Sequence, residues 1–408
     1  MALPLEGVRV VDLSQGAAGP VCTQLLGDFG ADVVKVEPPG GDWGRQLGPP
    51  FYPLPDGGKT AAAYVGMNRN KRSVVVDLKR PEGRQVLLRL VEGADVFVES
   101  FRPGVAERLG LGAETLLTRN PRLVYCSISA FGQHGPWKDR PGVDGVVQAM
   151  SGLMSVTGTE DGPPVKVGVP AADMVGGFLA AAGILLALLA RQRTGAGQVV
   201  DASLLDALLA FQTVPLAMFF CSGQAPRRSG SAAPYAAPNE AFPTRDGYVM
   251  VAAYSPDRWR KLCEVLGMPE LAEDGRFSTN DLRVQNRAAL REILEAVFRT
   301  RTTDEWIQVL EEADILCAPL LTYPELVASR HVSERGMVVE VAHPQAGTAR
   351  VAGIPIRLAA TPGQVRRPPP LPGEHTVEVL QEAGFPPEHV AELVRSGVVQ
   401  AWTLPVEV

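Results

Sequence analysis

An aspartate in an apolar setting is the first residue of this sequence that could carry out chemistry. Asp173 lies in the stretch Gly168–Gly177, whose other residues are small or apolar, and the run Phe178–Ala190 that follows is apolar on every face. Because a helix that is apolar all round belongs in a protein core, we expect Asp173 to lie where the chain enters a buried helix. A carboxylate there loses hydration, which raises its free energy unless hydrogen bonds or the helix dipole compensate.

Spacing alone leaves the role of Asp173 open. Short acidic residues at the start of a helix are commonly N-terminal caps, which accept hydrogen bonds from free backbone N–H groups. Asp173 could equally be a buried polar residue whose hydrogen bonds are satisfied within the fold, or a functional carboxylate. The elements that surround it have to decide between these three interpretations.

Strand patterns alternate with helical patterns in the amino-terminal half of the chain. The helical patterns are at Pro20–Phe29 and Pro81–Val91, and the strand patterns are at Val8–Leu13, Ala31–Glu37, Ser73–Leu78, Asp95–Glu99 and Leu123–Ile128. Such alternation indicates right-handed crossovers between the strands of a mostly parallel sheet. We therefore predict a doubly wound α/β domain.

The loops that follow these strands are rich in Gly, Ala and Ser, so that backbone can approach a ligand closely. Arg45 lies just past one of them and Arg102 lies within another; the loops are Ser14–Gly19, Glu37–Asp42, Ser100–Gly104 and Ser129–Gly135. In open α/β sheets, ligands bind at the carboxyl ends of the strands. Ordinary turn chemistry would explain any single loop, but four such loops at one edge favour a binding site.

Composition divides the remainder of the chain. A strand at Gln198–Ala202 and one helix at Leu204–Phe220 are followed by residues 222–239, whose Gly, Ala, Pro and Ser content indicates a linker. A strand at Tyr248–Ala253 and three helical patterns then predict a smaller α+β unit; the helices are Pro256–Leu266, Gln285–Thr300 and Thr303–Glu312. A hairpin around residues 345–347, an extended strap at Gly363–Gly373 and two short helices complete the chain.

Composition and motifs exclude several classes of protein. The formal net charge of −6 over 408 residues argues against nucleic-acid binding. We expect neither disulfides nor a metal site, because no Cys-x-x-Cys or His-Glu-x-x-His occurs and the five histidines are dispersed; the cysteines are at positions 22, 126, 221, 263 and 317. A nicotinamide dehydrogenase is a distant alternative, since no Gly-x-Gly-x-x-Gly follows the first strand.

The start of the chain and its longest apolar run predict a cytoplasmic protein without a membrane segment. A signal peptide has a basic region followed by an apolar run, and the first residues of this chain have neither. The run at 178–190 is shorter than the roughly 20 apolar residues that a bilayer requires.

Motifs along nearly the whole chain identify a resemblance to the class III (CaiB/BaiF-type) CoA-transferases. That family includes formyl-CoA transferase, carnitine CoA-transferase and α-methylacyl-CoA racemase. Each motif is weak by itself, but their order is specific; they are Val11–Ser14, Ala18–Pro20, Gly30–Glu37, Gly41–Arg45, Asn68–Ser73, Asp77–Lys79, Glu99–Gly104 with Arg108, Pro141–Asp144, Gln148–Met154, Gly162–Pro164, Arg193–Gln198 and Leu371–Thr376.

The resemblance implies a fold and an assembly. A Rossmann-like sheet domain would be built from both chain ends, residues 1–221 and a return segment 337–408, with a small domain at 240–336 after the linker 222–239. In the family two such chains form an interlocked dimer, in which each chain threads the other, and we expect a homodimer of this kind here.

The resemblance also implies an active site. Asp173 stands at the position of the family's nucleophilic aspartate, and Val143 and Asp144 stand where acyl substrates bind. CoA would be a substrate and not a permanently bound cofactor; the residues expected to bind it are Ala17, Ala18, Val76, Asp77, Leu78, Lys79, Ser100, Phe101, Arg102 and Arg108. Lys and Arg are the usual partners of phosphate groups.

The implied reaction moves CoA from an acyl-CoA, with succinyl-CoA favoured, to a free carboxylic acid without ATP. Asp173 would attack the thioester and pass through anhydride and aspartyl-CoA thioester intermediates. This needs an ionised carboxylate, which an aspartate with a pKa near ~3.9 supplies at neutral pH unless it is strongly desolvated.

Some positions depart from the family's patterns. Ala17 stands where formyl-CoA transferase has Gln, and Pro38 where it has Arg, and the small domain lacks that enzyme's Gly-rich loop, so formyl-CoA and oxalate are not the expected substrates. In the family's racemases a histidine pairs with the aspartate, whereas Val143 stands there and cannot move a proton. Racemisation is therefore the weaker alternative, and a non-catalytic CoA-binding subunit of a hetero-oligomer is another.

Overall fold

The computed structural model describes residues 2–54, 58–343 and 347–402. Its contacts divide the chain into two compact units. The large unit consists of Met1–Leu153, Lys166–Gly223 and His331–Val408, and the small unit consists of Met154–Val165 and Gln224–Arg330.

Regular elements occupy most of the first 222 residues. Trp43–Gln46 forms one turn of 3₁₀ helix. The other elements are β1 (Arg9–Asp12), α1 (Ala18–Asp28), β2 (Asp32–Glu37), β3 (Phe51–Pro53), β4 (Lys59–Ala61), α2 (Ala62–Met67), β5 (Lys71–Val76), α3 (Pro81–Glu92), β6 (Val96–Glu99), α4 (Val105–Arg108), α5 (Ala113–Arg119), β7 (Val124–Ser129), α6 (Asp144–Met150), α7 (Leu153–Val156), α8 (Ala171–Thr194), β8 (Val199–Ser203), α9 (Leu204–Phe211) and α10 (Thr213–Ser222).

The remaining elements belong to the small unit and to the return of the chain into the large unit. A second 3₁₀ turn is at Pro269–Ala272. The others are β9 (Asn239–Pro243), β10 (Tyr248–Ala252), α11 (Pro256–Val265), α12 (Asn280–Gln285), α13 (Arg287–Phe298), α14 (Thr303–Glu312), β11 (Leu316–Pro319), α15 (Tyr323–Ala328), α16 (Arg330–Glu334), β12 (Val338–His343), β13 (Gly347–Ala352), α17 (Thr376–Glu382), α18 (Pro387–Arg395) and β14 (Val399–Gln400).

A seven-stranded sheet organises the large unit in the order β14-β5-β2-β1-β6-β7-β8. Neighbouring strands from β5 to β8 are parallel, and β14 pairs antiparallel with β5 through Val399 and Gln400. The mixed α/β architecture with a mostly parallel central sheet confirms the fold class predicted from the alternating pattern. The carboxyl-terminal end thus supplies one edge strand of a sheet that the amino-terminal half builds.

Two helical layers cover the sheet. On one face, apolar side chains of the strands pack with α3, α5, α17 and α18 in a core that includes Val74, Phe97, Leu116, Leu380 and Leu393. On the other face, α8 packs against α1. The two helices are so close that a Cβ atom at Gly177 would lie 2.5 Å from the carbonyl oxygen of Ala18. Only glycine at position 177 permits this approach, which sets where the start of α8 lies relative to the loop after β1.

The small unit contains a three-stranded antiparallel sheet in the order β11-β10-β9. Its strands pack against α11, α13 and α14 around two buried tryptophans, Trp259 and Trp306. Helix α14 begins in a capping box, in which Thr302 and Glu305 satisfy each other's backbone N–H groups. The predicted strand at 248–253 and the helices at 256–266, 285–300 and 303–312 all correspond to elements of this unit.

Two stretches of the chain differ from the sequence prediction or lie partly outside the described residues. The stretch expected to be helical, Leu204–Phe220, is helical over nearly its whole length, but it is divided into α9 and α10, which meet at an angle of 69°. Pro215 lies in the first turn of α10, where proline is tolerated, whereas in a continuous helix its ring would clash with the carbonyl of Phe211. The expected hairpin is formed by β12 and β13, and its turn at 344–346 lies outside the described residues.

Helix α8 is longer than the apolar run that predicted it. At 24 residues it is long and apolar enough to cross a membrane by length and composition, and the bent pair α9 and α10 passes the same test if the two helices are taken together. The core helix of a soluble protein passes that test too, and 44% of the apolar window of α8 is buried inside the chain.

Candidate active site

A cavity of about 360 Å³ opens at the carboxyl edge of the central sheet, where β1 and β6 lie side by side. From this point the chain order runs outward through β2 and β5 on one side and through β7 and β8 on the other. Such a topological switch point leaves a crevice between the loops that diverge from the two strands. Residues 15 and 17–19 after β1 and residues 100–103 after β6 line the cavity, and Asp173 opens into it from α8.

Asp173 is the third residue of α8 and is partly exposed to the cavity. Pro170 is the N-cap residue of the helix, and its own side chain forms no capping hydrogen bond. Among the described residues, the Asp173 carboxylate accepts no hydrogen bond, so it neither caps α8 nor is satisfied within the fold. Both structural interpretations left open by the sequence therefore lack support in the geometry.

The environment of Asp173 weakens its acidity. Desolvation, and secondly the negative charge of Asp144, raise the pKa of Asp173 to about 7. The sequence had suggested a carboxylate ionised throughout the neutral range, whereas a pKa near 7 leaves about half of it protonated at neutral pH. An aspartate with such a perturbed pKa in a cleft is a candidate functional group.

Asp144 connects α6 to the start of α8. Its Oδ1 accepts a hydrogen bond of 2.8 Å from the backbone N–H of Ala172, and its Oδ2 accepts one of 2.8 Å from Nε2 of Gln148. Oε1 of Gln148 in turn accepts a 2.9 Å hydrogen bond from the N–H of Val167. Asp144, a residue of α6, thus acts as an N-terminal cap of α8. This contact holds the start of α8 and Asp173 next to Val143 in the cavity wall.

A buried ionic network supports the loop after β1. Asp12 accepts hydrogen bonds from Ser14 and from Thr23, and its Oδ2 lies 3.3 Å from Nζ of Lys71. Nζ of Lys35 donates to the carbonyl oxygen of Ser14 at 2.8 Å. Burial alone would raise the pKa of Asp12, but the charges of Lys71 and Lys35, together with the hydrogen bonds from Ser14 and Thr23, outweigh it and hold that pKa below its usual value. The charges fix the backbone from which residues 15–19 reach the cavity.

Trp43 forms part of the cavity wall and rests on the same loop. Asp42 lies 2.7 Å from Nζ of Lys35, and its Oδ1 accepts hydrogen bonds from the N–H groups of Gly16 and Gly44. Gly16 has a φ of +81°, and a Cβ atom there would overlap the indole of Trp43. Glycine at position 16 therefore permits both the left-handed backbone conformation and the close packing of the Trp43 ring against the loop.

A second carboxyl group with a raised pKa lies behind the loop after β6. Glu99 is buried at the end of β6, and its Oε2 accepts a 2.7 Å hydrogen bond from the N–H of Phe101. Burial raises the pKa of Glu99 to about 7, although hydrogen bonds from Ser127 and Phe101 act in the opposite direction. The protonation state of Glu99 is therefore coupled to the backbone that carries Ser100 and Arg102.

Metal binding has no candidate within the part of the chain that the structure describes. No group of three or more His, Cys, Asp or Glu residues is close enough there to hold a metal ion. The polar side chains of the cavity include two carboxylates, three cations and the neutral groups of Gln15, Ser100 and Ser129, which suits an organic anion with several contact points.

The family of this chain follows from its sequence as a whole. Residues 5–376 match the model of CoA-transferase family III. The chain belongs to this family. It is an enzyme, a CoA-transferase, and the resemblance inferred from its motifs is confirmed.

Relatives of this CoA-transferase align with it over nearly their whole length. The succinyl-CoA:glutarate CoA-transferase of Mus musculus is 39% identical over 400 residues, which cover 97% of this chain and 90% of the relative. The succinate–glutarate CoA-transferase of Agrobacterium fabrum is 41% identical over 386 residues, which cover 93% and 95%. A crystal structure of a CaiB/BaiF family protein from Brucella suis superposes with a TM-score of 0.85 at 37% identity, covering 94% of this chain and all of the other.

The cavity of the CoA-transferase brings together eight residues singled out from the sequence, namely Ala17, Ala18, Ser100, Phe101, Arg102, Val143, Asp144 and Asp173. The other five do not line it: Val76, Asp77, Leu78, Lys79 and Arg108. Val76 is the last residue of β5 and is fully buried in the core, and the short turn after it is held by a 3.0 Å hydrogen bond from the N–H of Lys79 to Asp77.

Trp43, Lys138 and Arg140 are among the residues of the cavity wall that sequence reasoning missed. Trp43 belongs to the family motif Gly41–Arg45, and the Lys-x-Arg pair stands immediately before the motif Pro141–Asp144; these positions were the available signal. The sequence places Arg45 just past a loop of the expected site. In the structure it is 7% exposed and forms a bidentate ion pair with Glu37, so it stabilises the fold.

Proposed function

We propose that this CoA-transferase moves CoA from an acyl-CoA donor to a free carboxylic acid, with Asp173 as the nucleophile. The observation that carries the proposal is the Asp173 carboxylate itself. It opens into the cavity at the switch point of the sheet, and no hydrogen bond from a described residue engages it. A carboxylate left free of structural hydrogen bonds is available to form a covalent intermediate.

The reaction would proceed through two kinds of covalent intermediate. The Asp173 carboxylate attacks the thioester carbonyl, the C–S bond breaks, and a mixed anhydride and CoA thiolate result. The thiolate then attacks the Asp173 carbonyl, which releases the donor acid and leaves an aspartyl-CoA thioester. The acceptor carboxylate repeats both steps in reverse, so that CoA leaves on the acceptor and the Asp173 carboxylate is regenerated.

The location of Asp173 in the first turn of α8 would assist these steps. The positive end of the helix dipole stabilises the oxyanion formed at each addition. The desolvation that raises the pKa of Asp173 also limits the access of water, which would hydrolyse the anhydride.

CoA would bind along the loops at the carboxyl ends of the strands. Ala17, Ala18, Ser100, Phe101 and Arg102 line the cavity, and residues 76–79 and Arg108 would extend the same binding site beyond it. The Arg102, Lys79 and Arg108 side chains would meet CoA phosphates. No permanently bound cofactor is needed, because CoA is itself the group that is transferred.

Small dicarboxylic acids are the substrates that we favour. The relatives from Mus musculus and Agrobacterium fabrum carry succinyl-CoA or succinate and glutarate in their names. At about 40% identity over nearly the whole chain, the reaction type carries over more firmly than the pair of acids.

Epimerisation of a 2-methylacyl-CoA is the rival reaction, and Val143 argues against it. A racemase needs a second proton-transfer group opposite the aspartate, whereas Val143 is 64% exposed at the cavity wall and carries no titratable atom. The CoA-binding subunit of a hetero-oligomer is the other alternative, and the retained Asp173 argues against that.

Exchange and epimerisation can be separated in one set of assays. We expect the purified chain to form a new acyl-CoA from succinyl-CoA and free glutarate without ATP, detected by mass spectrometry, because the reaction only exchanges one thioester for another. A 2-methylacyl-CoA incubated in heavy water should not be deuterated at its α-carbon. Rapid deuteration without any exchange over a panel of donors and acids would overturn the proposal in favour of epimerisation.

Exposed apolar side chains on α8 and α10 favour a homodimer. Phe178, Leu186 and Leu189 on α8 and Phe219 and Phe220 on α10 are exposed large apolar side chains. An interlocked dimer of the kind formed in the family would cover such side chains, and it would make α8 an interface helix of a cytoplasmic enzyme that needs neither membrane nor nucleic acid.

We expect light scattering to give twice the chain mass at micromolar concentration and below, because interlocked chains cannot separate without unfolding. Dilution in the presence of added salt should leave the mass unchanged. A stable folded monomer at micromolar concentration would contradict the interlocked assembly.

A further inference from the structure

Three cationic side chains line the cavity, and none of them forms an ion pair among the described residues. They are Arg102, Lys138 and Arg140. Arg102 belongs to the loop after β6 that we assign to CoA, whereas Lys138 and Arg140 belong to the segment between β7 and α6, for which neither the sequence motifs nor the proposed mechanism has a role. Two carboxylates, Asp144 and Asp173, line the same cavity.

The segment between β7 and α6 is anchored at both ends. The N–H of Gly132 donates a 3.0 Å hydrogen bond to Oγ of Ser129. At the other end, a Cβ atom on Gly142 would lie 2.5 Å from Cβ of Ala130 and 3.0 Å from the ring of Phe131. The two ends of the segment therefore lie against each other, and the side chains between them project from a fixed base.

An aromatic stack supports Arg140 within this segment. The guanidinium carbon of Arg140 lies 5.4 Å from the centre of the Trp137 ring, and its backbone N–H donates a 2.9 Å hydrogen bond to the carbonyl oxygen of Trp137. Trp137 packs edge-on against the buried Phe131 at 6.2 Å. A guanidinium stacked on an aromatic ring keeps its in-plane N–H groups free, so it can still bind a carboxylate with two parallel hydrogen bonds.

Arg140 is also close in sequence to the reacting end of the cavity. It precedes Val143 by three residues and Asp144 by four, and Asp144 binds the backbone next to Asp173. Arg102, by contrast, projects from the loop after β6. Arg140 is thus the cavity cation nearest in sequence to Asp144, and the CoA contacts proposed above do not use it.

We propose that Arg140 is a specificity-determining residue, which binds the distal carboxylate of a dicarboxylic acyl group while the thioester carbonyl lies at Asp173. The proposal rests on the proposed function and names the substrate class of the same site. A second carboxylate on the acyl chain would be repelled by Asp144 and Asp173, and the Arg140 guanidinium supplies the opposite charge. A monocarboxylic acyl group of equal length makes no use of it.

The test compares donors that differ only in the distal carboxylate. The value of kcat/KM is measured for succinyl-CoA and for butanoyl-CoA with the same acceptor acid, in the wild type, Arg140→Gln and Arg140→Lys. We expect Arg140→Gln to lower the ratio of the two values about 10- to 100-fold, through the succinyl-CoA value, because one charge-assisted bidentate contact is lost. Arg140→Lys keeps the charge without the planar fork and should restore part of the ratio.

Lys138→Gln is the matched control, since it removes one positive charge from the same segment and the same cavity. It should leave the succinyl-to-butanoyl ratio within about twofold of the wild-type value. Equal losses for both donors in Arg140→Gln, or an equal fall of the ratio in Lys138→Gln, would overturn the assignment to Arg140. Failure of the proposed function looks different, because the wild type would then exchange CoA with neither donor.

Discussion

Asp173→Asn should lower CoA exchange by more than about 10³-fold while the chain remains folded and still binds CoA. The carboxamide keeps the size of the side chain, but its oxygen is too weak a nucleophile to open a thioester, so both covalent intermediates are lost. Steady-state exchange of succinyl-CoA with glutarate measures the loss, and calorimetric titration with CoA measures binding.

The raised pKa of Asp173 makes a matching prediction for stability. The folded-state value of about 7 lies above the unfolded value of ~3.9, so the stabilising contribution of this group is fully present below pH ~4 and is lost as the pH rises through about 7. Asp173→Asn removes that loss because an amide does not ionise. Its free energy of unfolding at pH 8 should therefore equal or exceed that of the wild type, whereas loss of a structural hydrogen-bond acceptor would lower it.

Chemical trapping adds a readout on Asp173 itself. With acyl-CoA and no acceptor, part of the enzyme should be present as a thioester between Asp173 and CoA. Borohydride reduces a thioester but not a free carboxylate, so enzyme treated with acyl-CoA and then borohydride should be inactive, with Asp173 converted to an alcohol that peptide mass spectrometry detects. Enzyme treated with borohydride alone should survive.

Substantial exchange activity of freshly prepared Asp173→Asn would contradict the assignment of Asp173 as the nucleophile. Peptide mass must exclude deamidation of the asparagine back to aspartate. Arg193→Gln, which changes an exposed side chain in the last turn of the same helix, is the control for handling and expression.

The acid side of the pH profile should report the ionisation of Asp173. Because only the carboxylate attacks, kcat/KM for the acyl-CoA donor should fall as the pH drops below about 7, which is far above the range of an exposed aspartate. Asp144→Asn removes the nearby negative charge and should move this fall to lower pH. Desolvation is the larger cause of the raised pKa and remains in the variant, so the fall should stay above pH ~4.

Two further variants test whether the pH dependence comes from the charge of Asp144, from its hydrogen bond to α8 or from the neighbouring Glu99. Asp144→Ala loses the acceptor for the N–H of Ala172 as well as the charge, whereas an asparagine retains an acceptor there, so only the alanine variant should lose activity at all pH values. Glu99 also has a pKa raised to about 7 and is tested by Glu99→Gln, which should leave the midpoint in place. If the midpoint of the pH dependence of kcat/KM is unchanged in Asp144→Asn, or if the pH dependence disappears in Glu99→Gln, the profile does not report the ionisation of Asp173.

Local patterns in the sequence predicted much of the large unit because they are properties of short segments. Alternating strand and helix signals predicted the parallel sheet, and their positions differ from the observed bounds by one or two residues at most ends. The all-apolar run predicted α8 and therefore the location of Asp173 in its first turn. The boundaries of the domains and the interlocked dimer stay predictions, since they rest on composition and on the family resemblance.

Contacts between distant residues could not be read from those patterns. Pro215 breaks a helix that looked continuous, and Arg45 is held by Glu37 in the fold although its loop suggested a ligand contact. Strand β14 is only two residues long, too short for a periodic signal, and it joins the sheet through pairing with β5.

The sequence by itself determined the fold class, the family and the place of a lone aspartate at the start of an apolar helix. Only the tertiary structure decided the chemistry available to that aspartate. Its pKa depends first on desolvation and then on Asp144, a residue 29 positions earlier, whose hydrogen bond to Ala172 brings the two carboxylates into one cavity. Burial and long-range electrostatics are properties of packing, and no window of sequence around position 173 contains them.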